Sequence, residues 1–322
     1  MSAVTASSAP VRRTLWEWIS LALITCAMFA LLWLGGLTAT TAIRGDLDFD
    51  GIGLGALALT VVLYLASHGL RILRLALLIG GWRVGFRTVV AFHLMTASVG
   101  LLAPLKLGEL YRVVELGNLV GNFVRGVMIA WWERAFDVAV LLILIAVALA
   151  NTPPETHGVF YGVAAIAGVF VIGTVLAFFV APENLRRVSV LIIRRYEHRW
   201  TVPVLRGIDA ARRAIRQAPA LIDKKLASLL TLTILIWTLE IACFAIMIPA
   251  FSDSVGLAAE GLLGFLSSVT RGETILTGLD ATHSGVDLRH YLAATQAPLV
   301  ILGFIACAAY AFLRYGAPRG RS

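Results

Sequence analysis

Six apolar runs, each about as long as a membrane-spanning helix, constrain this chain more than any other feature. The hydrocarbon core of a bilayer needs roughly 20 predominantly apolar residues in a helix that crosses it. The runs are residues 19–37, 52–70, 127–150, 159–180, 227–250 and 291–313. With 59% hydrophobic and only 14% charged residues, the 322-residue chain has too little polar surface to cover a soluble globule. We therefore predict an all-α integral membrane protein with about six full spans in a single polytopic domain, residues 1–322.

Basic residues gather at one side of these runs, and this sets the orientation. Lys and Arg favour cytosolic segments. Arg12 and Arg13 precede the first run, and the segment 181–225 holds eleven Lys and Arg residues, whereas residues 38–51 carry three Asp against one Arg. We predict that the tail 1–18, the loop 181–225 and the C-terminus face the cytosol from the cell membrane. Arg71 and Arg74, at the end of the second run, are interpreted as interfacial anchors.

Two further apolar stretches are interrupted and read as helical hairpins. Residues 88–103 are broken by Pro104 ahead of Lys106, Gly108 and Glu109, and residues 261–269 end at Arg271, Gly272 and Glu273. Broken helices at membrane depth are tolerated only where protein or a wet cavity satisfies the freed backbone groups. We predict two re-entrant hairpins, with Pro104, Gly108 and Gly272 as structural hinges. Span, hairpin and span then occur twice in opposite orientation, a pattern typical of inverted-repeat transporters.

The ionisable residues near these breaks are the candidate substrate-binding site. An ionised side chain at the bilayer centre costs roughly 2.5–3.5 kcal/mol, so such residues face one another or a wet cavity. Lys106, Glu109 and Arg112 share a helix flank and form either a headgroup site or a neutral network that locks two helices together. Glu133, Arg134 and Asp137, on the following helix, form an acid–base–acid set whose charges can neutralise one another. This set can therefore be a structural scaffold for the hairpin. The full set is Lys106, Glu109, Arg112, Glu133, Arg134, Asp137, Arg271 and Glu273. We expect Lys106 or Glu109 to lie close to Arg271 or Glu273.

Within the basic loop, the stretch that Pro203 opens has the pattern of an amphipathic helix. Val204, Ile208, Ala211 and Ile215 recur at helical spacing. The basic positions between them are Arg206, Arg212, Arg213 and Arg216. Such a helix lies on an anionic membrane surface, where each basic residue contributes about 1 kcal/mol. Nucleic acid is not the expected partner, because the interleaved aromatic residues of single-strand binders are missing.

The sequence offers little support for an enzyme. It contains no zinc-protease, nucleophile-elbow, Walker or dinucleotide-binding motif, and we expect no catalytic residue, cofactor or metal. Asp46, Asp48 and Asp50 match the first ligand positions of a calcium-binding loop, but the twelfth position is Leu57 rather than Glu. A membrane glycosyltransferase could use these acids to hold a metal and a lipid diphosphate, so that alternative stays open. A third alternative is a non-transporting scaffold for a lipid or glycan synthase.

The charged motifs resemble those of a known family. Arg71 and Arg74 precede two motifs, Pro104-x-Lys106-x-Gly108-Glu109-x-x-Arg112 and Glu133-Arg134-x-x-Asp137. Together they resemble the flippase-like membrane domain of lysylphosphatidylglycerol synthases, which also occurs as stand-alone proteins and in an archaeal glycosyltransferase. The likeness runs from about residue 15 to residue 313.

This resemblance implies the movement of a phospholipid, or of a lipid linked to polyprenyl phosphate, between leaflets. The implied partners are membrane lipids and an enzyme of lipid or glycan synthesis. The chain ends soon after its last apolar run. We therefore expect it to lack the aminoacyl-transfer domain of the synthases and not to make lysyl lipid by itself.

The predicted orientation can be tested with single cysteines in a background that lacks Cys26, Cys243 and Cys307. We expect an impermeant thiol reagent added outside intact cells to label positions in 46–50, 152–158 and 280–290. It should not label 186–225, because basic residues hold that loop in the cytosol. Labelling of the loop from outside would overturn this orientation.

Overall fold

The computed structural model describes residues 15–43, 53–80, 84–102, 107–151, 157–195, 200–247 and 289–316. Regular structure within these ranges is helical, which confirms the predicted all-α fold. The main helices are α1 Leu15–Ile43, α2 Leu54–Ile79, α3 Phe86–Leu102, α4 Leu107–Leu119, α5 Phe123–Asn151, α6 His157–Val175, α7 Ala181–Arg195, α8 Thr201–Gln217, α9 Leu226–Met247 and α10 Arg289–Ala311.

Within the described residues, five helical stretches are long and apolar enough to cross a membrane. They are Leu15–Thr40, Leu54–Ile79, Ala164–Arg195, Leu226–Met247 and Tyr291–Gly316. The chain is therefore a multi-pass membrane protein. The remaining predicted span falls in α5, which has the length at 29 residues but carries the acid–base–acid set in its first half. The count of six spans stays a prediction, as does the side of the membrane that each terminus faces.

The helix that begins with α6 does not end at residue 180, where we expected the cytosolic loop to start. It continues through a five-residue π-helix, Leu176–Val180, directly into α7. Pro182 lies in the first turn of α7 and has no backbone N–H to donate to the preceding turn. A π-helical turn is one way in which a helix absorbs such a local irregularity and continues. The segment after residue 180 is thus helical through Arg195.

The amphipathic helix predicted after Pro203 is present as α8. Arg206, Arg213 and Arg216 are exposed, while Arg212 is half-buried. Asp209 accepts from Arg213 at 2.8 Å and lies 3.7 Å from Arg212. The helix packs against α7 and α5. Its contact with a membrane surface stays a prediction.

The first predicted hairpin corresponds to α3 and α4, which lie side by side in opposite directions. Tyr111 Oη contacts Met95 Sδ at 4.0 Å, and nearer the break a Cβ on Gly108 would fall 2.6 Å from Gly100 Cα. Pro104 and Lys106 fall outside the described residues. Re-entry from one side of the membrane and the hinge role of Gly108 stay predictions; the observed role of Gly108 is close packing.

The second predicted hairpin falls outside the described residues. Arg271, Gly272 and Glu273 all belong to residues 248–288, which the structure does not describe. The expected approach of the two hairpins near the midplane and the inverted repeat therefore stay predictions.

The described helices pack in pairs that bring α2, α4, α5 and α9 together. The most extensive contacts are those of α2 with α9, α3 with α10, α1 with α10 and α4 with α5. The larger apolar core includes Leu75, Phe92, Leu116 and Tyr310. A smaller core surrounds Phe244 between α5, α9 and α10. The first core fixes α4, which carries two of the predicted site residues, against the rest of the bundle.

The contact between α4 and α5 depends on two glycines. A Cβ on Gly126 would fall 2.5 Å from Gly117 Cα, closer than packed atoms approach each other. Small residues at such crossings let helix backbones approach closely in membrane proteins. This close approach allows short and long polar side chains of α4 and α5 to reach each other.

We expect Gly126→Ala to lower the free energy of unfolding by about 1–3 kcal/mol, because the added methyl group overpacks the α4–α5 contact. Gly168→Ala is the matched control, since a Cβ there would meet nothing within 4 Å. It should be neutral or slightly stabilising, because alanine favours a helix interior over glycine. Unfolding of both variants in detergent measures the difference, and equal stability would contradict this packing.

Candidate functional site

Four arginine–carboxylate pairs join α2, α4, α5 and α9 inside the bundle. We call these eight residues the ion-pair network. The pairs are Arg71–Glu240, Arg74–Asp137, Arg112–Glu133 and Arg134–Glu109. Four positive and four negative charges cancel within it, as expected of charges withdrawn from water.

The most deeply buried pair ties α2 to α5. Arg74 is 2% exposed and donates to both carboxylate oxygens of Asp137, at 2.7 and 3.2 Å. The same guanidinium donates to Thr233 Oγ1 on α9 at 3.1 Å. Asp137 also accepts from Arg134, one turn away on α5, at 3.4 Å. Asp137 therefore links the buried pair to the Arg134–Glu109 pair.

Two more pairs connect α4 to α5. Arg112 Nη2 donates to both oxygens of Glu133, at 2.9 and 3.1 Å, and the exposed fractions of the two side chains are 11% and 5%. Glu109, one turn earlier on α4, accepts from Arg134. The Arg134–Glu109 pair is the most exposed of the four, with side-chain exposures of 42% and 46%. The network thus has one open end.

Five predicted site residues are brought together here. Glu109, Arg112, Glu133, Arg134 and Asp137 all belong to the network. The expected Arg134–Asp137 contact within α5 is present. The interpretation of the α5 set as self-satisfying is wrong, however, because each member has a partner on another helix. Lys106, Arg271 and Glu273 lie outside the described residues.

The interpretation of Arg71 and Arg74 as interfacial anchors is also wrong. Arg71 pairs with Glu240 on α9, which accepts a further bond from Ser67 at 3.4 Å. The sequence contains a partial signal for a polar contact here, because Glu240 is an acid inside an apolar run and the two arginines share a helix flank. It could not reveal the pairing, since Arg71 and Glu240 are 169 residues apart.

Two buried histidines extend the polar core to α3. His68 Nδ1 and His93 Nε2 lie 3.1 Å apart. His93 is 2% exposed, and its Nδ1 has no partner among the described residues. The histidine pair therefore places further hydrogen-bonding groups one turn from Arg71 on α2.

A second polar cluster surrounds Glu115 on α4. Its carboxylate accepts from side chains of α1, α4, α10 and the π-helix Phe312–Gly316 that follows α10. We call Glu115 and its four donors, Ser20, Asn118, Tyr310 and Tyr315, the Glu115 cluster. Glu115 is not among the predicted site residues, although it lies between the two charged motifs.

An apolar groove of about 340 Å³ opens between α1, α3 and α4. Its lining residues are Trp16, Leu23, Val99, Leu107, Leu110, Tyr111 and Val114. The α4 members occupy the flank of that helix opposite Glu109 and Arg112, given 100° per residue. One short helix thus separates an apolar groove from the ion-pair network.

A protein-family comparison decides the assignment. The family described as "Lysylphosphatidylglycerol synthase TM region" matches residues 17–271. The chain belongs to this family. No curated protein and no solved structure matches it. The matched range contains the whole ion-pair network, and membership of the family implies a function connected with membrane lipids.

Within the described residues, no group of three or more His, Cys, Asp and Glu side chains is arranged to hold a metal ion. Asp46, Asp48 and Asp50, the acids of the glycosyltransferase alternative, lie outside the described residues. That alternative is untested.

The Arg74–Asp137 pair should contribute to the stability of the protein in a way that mutation can measure. Asp137→Asn should lower the free energy of unfolding by about 3–5 kcal/mol, because Arg74 is left as an uncompensated buried charge. The double variant Arg74→Met with Asp137→Leu should recover much of that loss, since no buried charge remains at the pair. Chemical unfolding in detergent checks both, and a double variant less stable than Asp137→Asn would contradict this view.

Proposed function

We propose that this protein moves a lipid with an anionic phosphate headgroup between the leaflets of a membrane and is not an enzyme. The lipid is a phospholipid or a lipid linked to polyprenyl phosphate. The observation that carries the proposal is the open end of the ion-pair network at Arg134 and Glu109. An enzyme of lipid or glycan synthesis would supply or use the lipid.

Stability alone is a poor reason to keep such a network. Buried ion pairs lose hydration energy that their mutual attraction only partly restores, so apolar replacements are often neutral or stabilising. Eight ionisable side chains paired inside the helical bundle of a membrane protein therefore favour a function. Ionisable residues at such positions commonly mark substrate or ion pathways.

A phosphate group fits the open end chemically. Guanidinium groups bind carboxylates and phosphates in similar fork-shaped arrangements. A headgroup phosphate can take the place of Glu109 on Arg134, so that the network exchanges one anion for another without a new unpaired charge. Arg112 lies one turn after Glu109 on α4 and pairs with Glu133 on α5. It offers a second guanidinium deeper in the bundle.

The groove on the other flank of α4 suits the rest of the lipid. Its lining is apolar apart from the indole N–H of Trp16 and the hydroxyl of Tyr111, so it accommodates a hydrocarbon chain. Leu107 begins α4 and lines the groove, while Glu109 lies within the same first turn. A lipid crossing the start of α4 would have its headgroup beside Arg134 and a chain in the groove.

Glu109→Gln and Arg134→Gln test this proposal in purified protein reconstituted into liposomes. Movement of a labelled anionic phospholipid between leaflets should fall at least about tenfold in each, because a charge-assisted contact of about 1.5–3 kcal/mol is removed. Arg134→Gln should also weaken headgroup binding. Glu109→Gln should strengthen binding, because no carboxylate competes for Arg134 and the headgroup is not released.

Glu183→Gln is the control for loss of a carboxylate, since Glu183 pairs only loosely with arginines on α7. It should move lipid at the wild-type rate. Full activity in both network variants would contradict the proposal. Metal-dependent sugar transfer by the wild-type protein would indicate an enzyme instead, and neither activity would indicate a scaffold.

A further inference from the structure

We infer that Glu115 is a proton-binding site whose occupancy controls how firmly α4 is held in the bundle. The inference rests on the proposed function for its consequence, which is that lipid movement is coupled to a proton. The site itself rests on the geometry of the Glu115 cluster.

Glu115 is fully buried, and the hydrogen-bond donors that meet it among the described residues are all neutral. Oε1 accepts from Tyr310 Oη at 2.7 Å and from Tyr315 Oη at 3.0 Å. Oε2 accepts from Ser20 Oγ at 3.2 Å and from Asn118 Nδ2 at 3.3 Å. The exposed fraction of the residue is 0%. Four donors occupy roughly the full accepting capacity of an ionised carboxylate.

This carboxylate differs from every other buried one in the described part of the chain. The buried acids there are Glu115, Glu133, Asp137 and Glu240. Each of the other three has an arginine partner, whereas no described arginine or lysine forms an ion pair with Glu115. An unpaired buried charge carries a desolvation cost of several kcal/mol. Uptake of a positive charge at this carboxylate removes that cost.

The spacing of the donors indicates a proton rather than a metal ion. All four donors already touch the carboxylate at hydrogen-bond distance, so they leave no gap of ionic size. A proton needs only one neighbouring oxygen that changes from donor to acceptor, and the hydroxyls of Ser20 and Tyr315 can do this by rotation. The cluster can thus accommodate both the ionised and the protonated carboxyl group.

Other titratable or charged groups face the cluster from α1, from α4 and from the end of α10. From α1 there is Glu17, one turn before Ser20, and from α4 there is Tyr111, whose Oη lies 3.4 Å from Ser20 Oγ. From α10 and the π-helix after it there are Cys307 and Arg314 beside the two cluster tyrosines. Arg314 Nη2 donates to the backbone oxygen of Asn118 at 2.8 Å. From α3 the neighbours are Phe92 and Met95, which do not titrate.

The position of Glu115 explains how a proton would affect lipid movement. On one flank of α4, Glu115 binds α1 and the end of α10; on another, Glu109 and Arg112 bind α5. Hydrogen bonds to an ionised carboxylate are about twice as strong as neutral ones. Protonation therefore loosens α4 from α1 and α10 and frees it to shift Glu109 and Arg112 against α5. Tyr111 lines the apolar groove and also lies 3.4 Å from Ser20 Oγ, so the groove borders the cluster.

Infrared titration of the reconstituted protein tests the site without reference to transport. A carbonyl band of a protonated carboxyl group should appear as the pH falls, and it should be absent from Glu115→Gln. In Tyr310→Phe, which keeps the ring, the band should appear at a higher pH than in the wild type, because one donor to the ionised form is lost. An unchanged set of titrating bands in Glu115→Gln would overturn the proton site, as would an unshifted band in Tyr310→Phe.

Lipid movement across a pH series tests the coupling. The wild-type rate should change with the slope of a single proton, and Tyr310→Phe should shift the midpoint in the same direction as its infrared band. Glu115→Gln should lose this pH dependence, while Glu183→Gln should retain it. A titrating Glu115 with a pH-independent wild-type rate would overturn the coupling alone. A titrating Glu115 in a protein that moves no lipid at any pH would overturn the proposed function and leave the proton site intact.

Discussion

The cost of removing charge from water governs the arrangement of these helices. Each arginine of the ion-pair network lies in a helix that also has to satisfy apolar packing, and it is tolerable there only because a carboxylate from another helix reaches it. The pairs therefore fix the mutual positions of α2, α4, α5 and α9. Arg74 shows this most clearly, because its guanidinium contacts both Asp137 on α5 and Thr233 on α9.

Close backbone packing makes these contacts geometrically accessible. Gly117 and Gly126 let α4 and α5 approach, so that Arg112 reaches Glu133 and Glu109 reaches Arg134. On its other side, α4 is held by the Glu115 cluster. A short helix held at two flanks, with one open ion pair at its start, has the features of an element that can adopt two positions. Exchange of an anion or a proton at either flank would bias that choice.

Sequence predicted what depends on local pattern. Five of the six apolar runs fall in helices that are long and apolar enough to cross a membrane, and the arginine-rich stretch after Pro203 located α8. The charges near the Pro104 break identified five members of the network. The ion-pair partners could not be predicted from the sequence. Helical spacing indicates only neighbours three or four residues away, whereas Arg74 and Asp137 are 63 residues apart. The same limit explains why the interpretation of Arg71 and Arg74 as interfacial anchors is wrong.

We propose that a lipid phosphate takes the place of Glu109 on Arg134. Solid-state NMR of the protein in bilayers can measure the dipolar coupling between lipid phosphorus and the Arg134 guanidinium nitrogens. We expect a coupling that corresponds to direct hydrogen-bond contact. Couplings confined to the arginines of α8, with none at Arg134 or Arg112, would contradict it.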